Sequence, residues 1–176
     1  MDRREAIQRV TLMLGGVMSA PLLAGAMGQA IYGGESIRPT VDQASLIAEV
    51  ADIIIPTTDT PGAKAAGVEQ FIIRVMRDCY EKPDQEKFFG GLAKLDADSK
   101  AKFKKGFADL SLQQKNIMIQ DATVYNKDFF VRMRELTITG YFISEIGATQ
   151  ALAYLPIPGR FDGCIPLEKD QKTWAL

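Results

Sequence analysis

The sequence predicts an all-α fold, a bundle of about five or six helices followed by an extended irregular C-terminal arm. Three observations carry that expectation. Apolar residues recur at helical spacing through most of the chain, a capping signature opens at Ser111-x-x-Gln114, and proline with glycine punctuates the stretches between.

The elements follow in order. Leu46, Ile47, Val50, Ile53 and Ile54 share one helix face, and Pro56 ends that helix. Residues 57 to 67, TTDTPGAKAAG, form a loop in which Pro61-Gly62 signals a turn and Asp59 and Thr60 can bond neighbouring backbone. A second helix near 68 to 80 carries Phe71, Ile72, Val75, Met76 and Cys79 on one stripe, which makes Cys79 a small buried hydrophobe. From Gln85 to about Asp109 the text reads as two charged helices that bury Phe88, Leu92, Leu95, Phe103 and Phe107. The helix opened by Ser111 turns Ile117, Met118 and Val124 inward. A long helix from about Asp128 to Phe142 holds Phe129, Phe130, Met133, Leu136 and Ile138, and Ser144 or one of its neighbours caps a short last helix through Ala153. The organisation is therefore a leader at 1–27, a linker at 28–40, a helical domain at 41–153 and an arm at 154–176.

Composition closes several functional classes. The 176 residues carry a net charge of -1, which offers no basic field for nucleic acid. There is no histidine, so the usual general base, metal ligand and axial haem ligand are missing. Cys79 and Cys164 form no CxxC, and no G-x-G-x-x-G or phosphate-binding loop occurs, so cofactor binding by this chain is not expected. Asp59, Glu135 and Glu145 have no spacing that links them as an acid/base pair, and Lys102, Lys104 and Lys105 read as a solvated face. The expectation is a chain with no catalytic, cofactor-binding or metal-binding residues.

The front end reads differently. Arg3 and Arg4 precede an apolar run from Val10 to Met27 of small residues, with Ala24-Gly25-Ala26 as a cleavage site. That pattern is a twin-arginine export signal and sends the chain to the periplasm, although Asp2 and Ala6 depart from the usual motif. An uncleaved membrane anchor and a buried N-terminal helix are the rival readings. Cys164 stands in an extended Gly-Cys-Ile-Pro segment, where a thiol in an exported protein is joined to another chain, bridged to Cys79 or left as a thiol.

Three stretches together, ADIIIPTTDTPGAKAAGVEQFI at 51 to 72, ELTITGYFISEIGATQALAYLPIPGRFDGCIPL at 135 to 167 and the final KTWAL, resemble the gluconate 2-dehydrogenase subunit 3 family. Residues 82 to 128 look unremarkable for it. The resemblance implies a small (gamma) subunit that accompanies a large FAD-bearing GMC oxidoreductase and often a multihaem cytochrome c. It also implies that this subunit supplies the Tat signal for the flavoprotein, helps it mature and is held peripherally at the inner membrane through the complex. FAD then lies in the partner and haem c in a third subunit. Arg3 and Arg4 map onto the signal and Cys164 onto the GCIPL segment. On this reading the arm lies along the partner through Tyr154, Arg160, Phe161, Cys164 and Trp174, with Cys164 as an interchain staple. The rival is an arm that wraps its own bundle. The rival for the whole chain is a free-standing periplasmic or membrane-anchored scaffold with no dehydrogenase partner.

Overall fold

The computed structural model describes residues 39–153 together with 157, 159, 164, 166 and 169–174. These form five α-helices, α1 Val41–Ile54, α2 Val68–Cys79, α3 Lys82–Phe103, α4 Leu112–Tyr125 and α5 Lys127–Phe142. A 3-10 helix, Phe107–Asp109, follows α3, and a π turn, Gly147–Ala151, follows α5. Among the described residues no strand forms, and no helix is long and apolar enough to cross a membrane. The all-α expectation holds.

Helix α5 is the axis of the bundle and touches every other α-helix and the π turn. Its buried side is Phe129, Met133, Leu136, Thr137, Gly140 and Tyr141, a stripe at the three-and-four spacing that one helix face provides. Around it the core collects Ile47 and Val50 of α1, Val68, Ile72 and Met76 of α2, Phe88, Leu92 and Leu95 of α3, Phe107, and Met118 and Ile119 of α4.

Two helices begin with the same local device. Ser111 and Gln114 form the expected capping box, each side chain accepting the other's backbone N–H, at 3.4 and 3.1 Å. Thr40 and Gln43 do the same at the start of α1, at 3.2 and 2.9 Å. Both boxes satisfy donors that a helix start otherwise leaves unpaired.

Residues 85 to 109 are one long α-helix and a 3-10 turn rather than two α-helices. The helix runs through Gly90-Gly91 because that is where α5 comes closest. A Cβ on Gly91 would lie 2.5 Å from the Cβ of Phe129, whose ring stacks tilted on Phe88 with centroids 5.4 Å apart. Asn126, between α4 and α5, donates its amide to the Gly91 carbonyl at 2.8 Å and locks the same crossing. The 3-10 turn is fixed by Asp96, which accepts the Phe107 N–H at 2.9 Å and pairs with Lys100 at 2.6 Å.

Several expected core positions are corrected. Cys79 is exposed, although it has the phase of the buried α2 stripe, because it is the last helical residue and that stripe ends at Met76. Ile117, Val124 and Ile138 face outward, while Ile119 and Ala122 take the inner face of α4. Phe103 is only half-buried. Of the lysine cluster, Lys102 pairs with Asp121 at 2.7 Å across α3 and α4, and Lys104 terminates α3 in the left-handed conformation.

Candidate functional site

The three stretches that carry the family resemblance lie far apart in sequence, and the fold brings their described parts, the loop after α1, the end of α5 with the turn after it, and residues 172–174, to one end of the bundle. The first is the loop after α1. Pro56 follows the last turn, and the chain reverses tightly enough that the Ala63 N–H reaches the Ile55 carbonyl at 2.9 Å. Gly62 makes this reversal possible: its N–H donates to Thr57 Oγ1 at 2.9 Å, and a Cβ there would lie 2.6 Å from the Thr57 nitrogen and 2.7 Å from the Ile55 oxygen. Those are backbone atoms, which cannot swing aside.

The second stretch meets the loop through Tyr141 at the end of α5. Its ring is buried, and its hydroxyl donates to the Pro61 carbonyl at 2.8 Å, a contact spanning 80 residues of sequence. With that proton committed, the phenolic oxygen accepts from the Thr60 hydroxyl at 3.4 Å. One residue earlier, Gly140 lets α2 approach, since a Cβ would lie 2.6 Å from the ring of Phe71.

Past α5, Ser144 ends one element and starts the next. Its hydroxyl donates to the Tyr141 carbonyl at 2.6 Å and accepts the Gly147 N–H at 3.1 Å, which is the expected capping role. The element it opens is shorter than expected, a π turn closing at Ala151. Gly147 is packed against the Tyr141 carbonyl oxygen, where any Cβ would overlap it.

The third stretch returns to the same place. The Ala153 N–H donates to the Thr173 carbonyl at 2.8 Å, Ala153 and Trp174 form an isolated parallel bridge, and the Lys172 ammonium donates to the Gln150 carbonyl. The charge of Lys172 also acts on Asp59 in the first loop. The Asp59 carboxyl is held below its ordinary value chiefly by the Thr58 hydroxyl, which donates to it at 2.7 Å, then by backbone N–H groups and more weakly by Lys172. Loop, helix end, π turn and arm end thus form one assembly.

What this end offers to a neighbour is apolar area beside hydrogen-bonding groups. Phe142 is 39% exposed, Ile143 64% and Trp174 52%, and the rim is Thr57, Thr58, Asp59 and Glu145. Large aromatic and aliphatic side chains left open on a rigid base are what a protein partner buries. The carboxylates considered at the outset are dispersed. Asp59 is bonded to Thr58, while Glu135 is on the outer face of α5 with Arg132 at 3.2 Å.

Among the expected interface residues, Arg3, Arg4, Tyr154, Arg160 and Phe161 lie outside the described residues. Cys164 and Trp174 are both exposed, and Cys164 and Cys79 do not bridge each other. Sequence reading missed the ionic centre beneath the site. Glu49 of α1 accepts from Lys115 of α4 at 2.6 Å and from Lys64 of the loop at 2.5 Å, with Lys115 largely buried. Burial acts to raise the Glu49 pKa, yet the two ammonium groups together outweigh it and hold the carboxyl below its ordinary value. Glu49 falls on the polar edge of the α1 stripe, and nothing in its spacing links it to residue 115.

A sequence model of the family described as Gluconate 2-dehydrogenase subunit 3 matches residues 41–159. The chain belongs to that family. The match begins at α1 and runs through the π turn into the arm, so the loop around Gly62 and the Tyr141 contact lie inside it and Lys172 to Trp174 lie beyond it. The family description is of one subunit of a dehydrogenase complex, which agrees with an accessory place beside other subunits. No match to a curated protein or to a solved structure was found.

Proposed function

We propose that this chain is the non-catalytic small subunit of a periplasmic FAD-dependent gluconate or sugar dehydrogenase complex. It supplies the Tat signal through Arg3 and Arg4 and supports folding, maturation and assembly of the flavin-bearing GMC subunit. FAD belongs to that partner, and haem c to a third subunit where one is present. The complex is held at the periplasmic face of the inner membrane.

The observation that carries the reading is the convergence of the family stretches. Tyr141, Gly62 and Gly147 are spent on fixing the shape of one end of the bundle, and that end shows Phe142, Ile143 and Trp174 outward. A catalytic end would instead gather titratable groups around a reacting atom. Among the described residues the carboxylates Asp59, Glu135 and Glu145 are dispersed, the one ionic cluster, Glu49 with Lys64 and Lys115, is a satisfied ion pair, and the conformational constraint serves a surface, which is what a maturation subunit needs in order to recognise a folded protein.

Co-expression with an adjacent GMC-type reading frame, purification through this chain and an absorption spectrum test the proposal. The expected result is a flavin spectrum from the complex and none from this chain alone. Stoichiometric flavin and sugar-dependent dye reduction by this chain alone would overturn it. A chain that purifies alone beside an active flavoprotein would favour the free-standing scaffold. Changing Arg3 and Arg4 together to lysine is expected to hold the partner in the cytoplasm, because lysine does not reproduce the guanidinium fork.

A further inference from the structure

The open side of α4 differs from that of its neighbours. Helices α3 and α5 turn charged side chains to solvent, among them Lys87, Lys94, Arg132, Arg134 and Glu135, as surface helices usually do. On α4 none of the exposed residues is charged. Its two charged residues are drawn off that side: Lys115 bonds Glu49 of α1 at 2.6 Å, and Asp121, at the edge, pairs with Lys102 of α3 at 2.7 Å. What stays open includes Leu112, Ile117, Val124 and Tyr125, large apolar side chains 41% to 74% exposed. Charge depleted around open apolar groups marks the centre of a protein interface rather than a solvated face.

Gln113, Ile117, Gln120 and Val124 follow one another at intervals of four, three and four, the seam by which one helix packs along another. They lie on the side of α4 opposite the buried Met118, Ile119 and Ala122. We propose that this seam is a homodimer contact, in which α4 runs parallel to α4 of a second copy with Ile117 against Ile117 and Val124 against Val124 across a two-fold axis. Two features favour a second copy as the occupant. A face without charge meets itself across a two-fold axis with no like charges opposed, which the outer faces of α3 and α5 cannot do. An amide is donor and acceptor at once, so Gln113 and Gln120 can each bond their own counterparts. Branched side chains at the first seam position suit two parallel strands, whereas an antiparallel pair would set Ile117 and Val124 against glutamines. The 14 residues of α4 span about 21 Å, so the pair covers less than the roughly 800 Å² per partner of a standard interface, and the dimer is of the weak, concentration-dependent kind. Val124 and Tyr125 stand at the start of α5 and the site end at its finish, so the two contacts use different surfaces. The dimer is a property of this chain alone and does not rest on the subunit reading.

Sedimentation equilibrium of the isolated full chain is expected to show a monomer–dimer equilibrium with a dissociation constant of about 10–300 μM. Ile117→Lys with Val124→Lys sets like charges across the axis and is expected to weaken association about tenfold or more while the melting temperature of the bundle is preserved. A chain that stays monomeric up to about 500 μM overturns the proposal, and so does a double variant that associates as the parent does. A second measurement needs no charged variant. With Cys79 and Cys164 changed to serine, Ile117→Cys is expected to give a disulfide-linked dimer on mild oxidation, because the parallel seam brings the two positions within disulfide reach. Arg74→Cys, on the exposed side of α2, is expected to give none. Absence of the Ile117→Cys dimer, or an equal yield from Arg74→Cys, overturns the parallel α4 contact.

Discussion

Tyr141→Phe isolates the contact that unites the two halves of the site. The substitution keeps the buried ring and removes the hydroxyl, so no large cavity forms and the loss is the 2.8 Å hydrogen bond to the Pro61 carbonyl. A typical hydrogen bond contributes about 1 kcal/mol net, and a buried acceptor left without a donor costs about 1–3 kcal/mol. Pro61 is half-buried, so water reaches its carbonyl in part and the expected loss is about 1–2 kcal/mol. For a bundle of this size that is roughly 3–10 °C in melting temperature by circular dichroism. The effect should also be local. Amides of the 57 to 63 loop should exchange faster, while those in the middle of α3 and α4, which do not share this hydrogen bond, should not. Thr60→Val removes only the 3.4 Å contact and is expected to change the melting temperature by less than half as much. A Tyr141→Phe chain with the melting temperature and loop exchange of the parent would show that the hydroxyl does not hold the loop, and the account of the site end would fail with it.

Other perturbations separate fold from surface. Gly91→Ala forces a Cβ against Phe129 and is expected to destabilise the bundle by about 1–3 kcal/mol in chemical denaturation, whereas Gly90→Ala, which meets open space, should be neutral or stabilising. The Glu49 carboxyl has a lowered pKa, so its contribution is fully present above the ordinary value of 4.5 and is lost as pH falls through the lowered folded value. Glu49→Gln should therefore flatten the acid limb of melting temperature against pH below about 4.5, and an unchanged limb would exclude Glu49 as its source. Ile143→Asp alters an exposed side chain and is expected to leave the melting temperature within about 2 °C while lowering the yield of the complex with the proposed flavin-bearing partner; full yield would remove Ile143 from the proposed docking surface.

Much of the fold was legible because helices advertise themselves through local chemistry. The stripes of α1, α2 and α5, the box at Ser111 and the cap at Ser144 are all readable within one or two turns of sequence. Thr40-x-x-Gln43 has the same form as the Ser111 box and could have been read the same way. What escaped was set by distant partners. The continuity of α3 through Gly90-Gly91 depends on Phe129, the inward face of α4 depends on where α5 lies, and the burial of Lys115 depends on Glu49. Cys79 shows the limit most sharply, since its helical phase is right and only the place where its neighbours stop exposes it. The site was legible as separate stretches, and the hydrogen bond that joins Tyr141 to Pro61 has no signature in either.

The division of labour within the chain follows from the same geometry. Residues 82 to 128 become α3, the 3-10 turn and α4, and they bury Phe88, Phe89, Leu92, Leu95, Phe107, Leu110, Met118 and Ile119. Such positions ask for apolar volume in the right place, and cores accept many residue combinations that supply it. The site end asks for more. Gly62 and Gly147 lie against backbone atoms that cannot move away, Tyr141 must present a donor as well as a ring, and Ser144 must donate and accept at once. Each requirement admits few residue types. On this account a variant of α3 or α4 that preserves apolar volume should leave assembly with the proposed partner intact, while substitution of Gly62 or Gly147 should abolish it even when the bundle still folds.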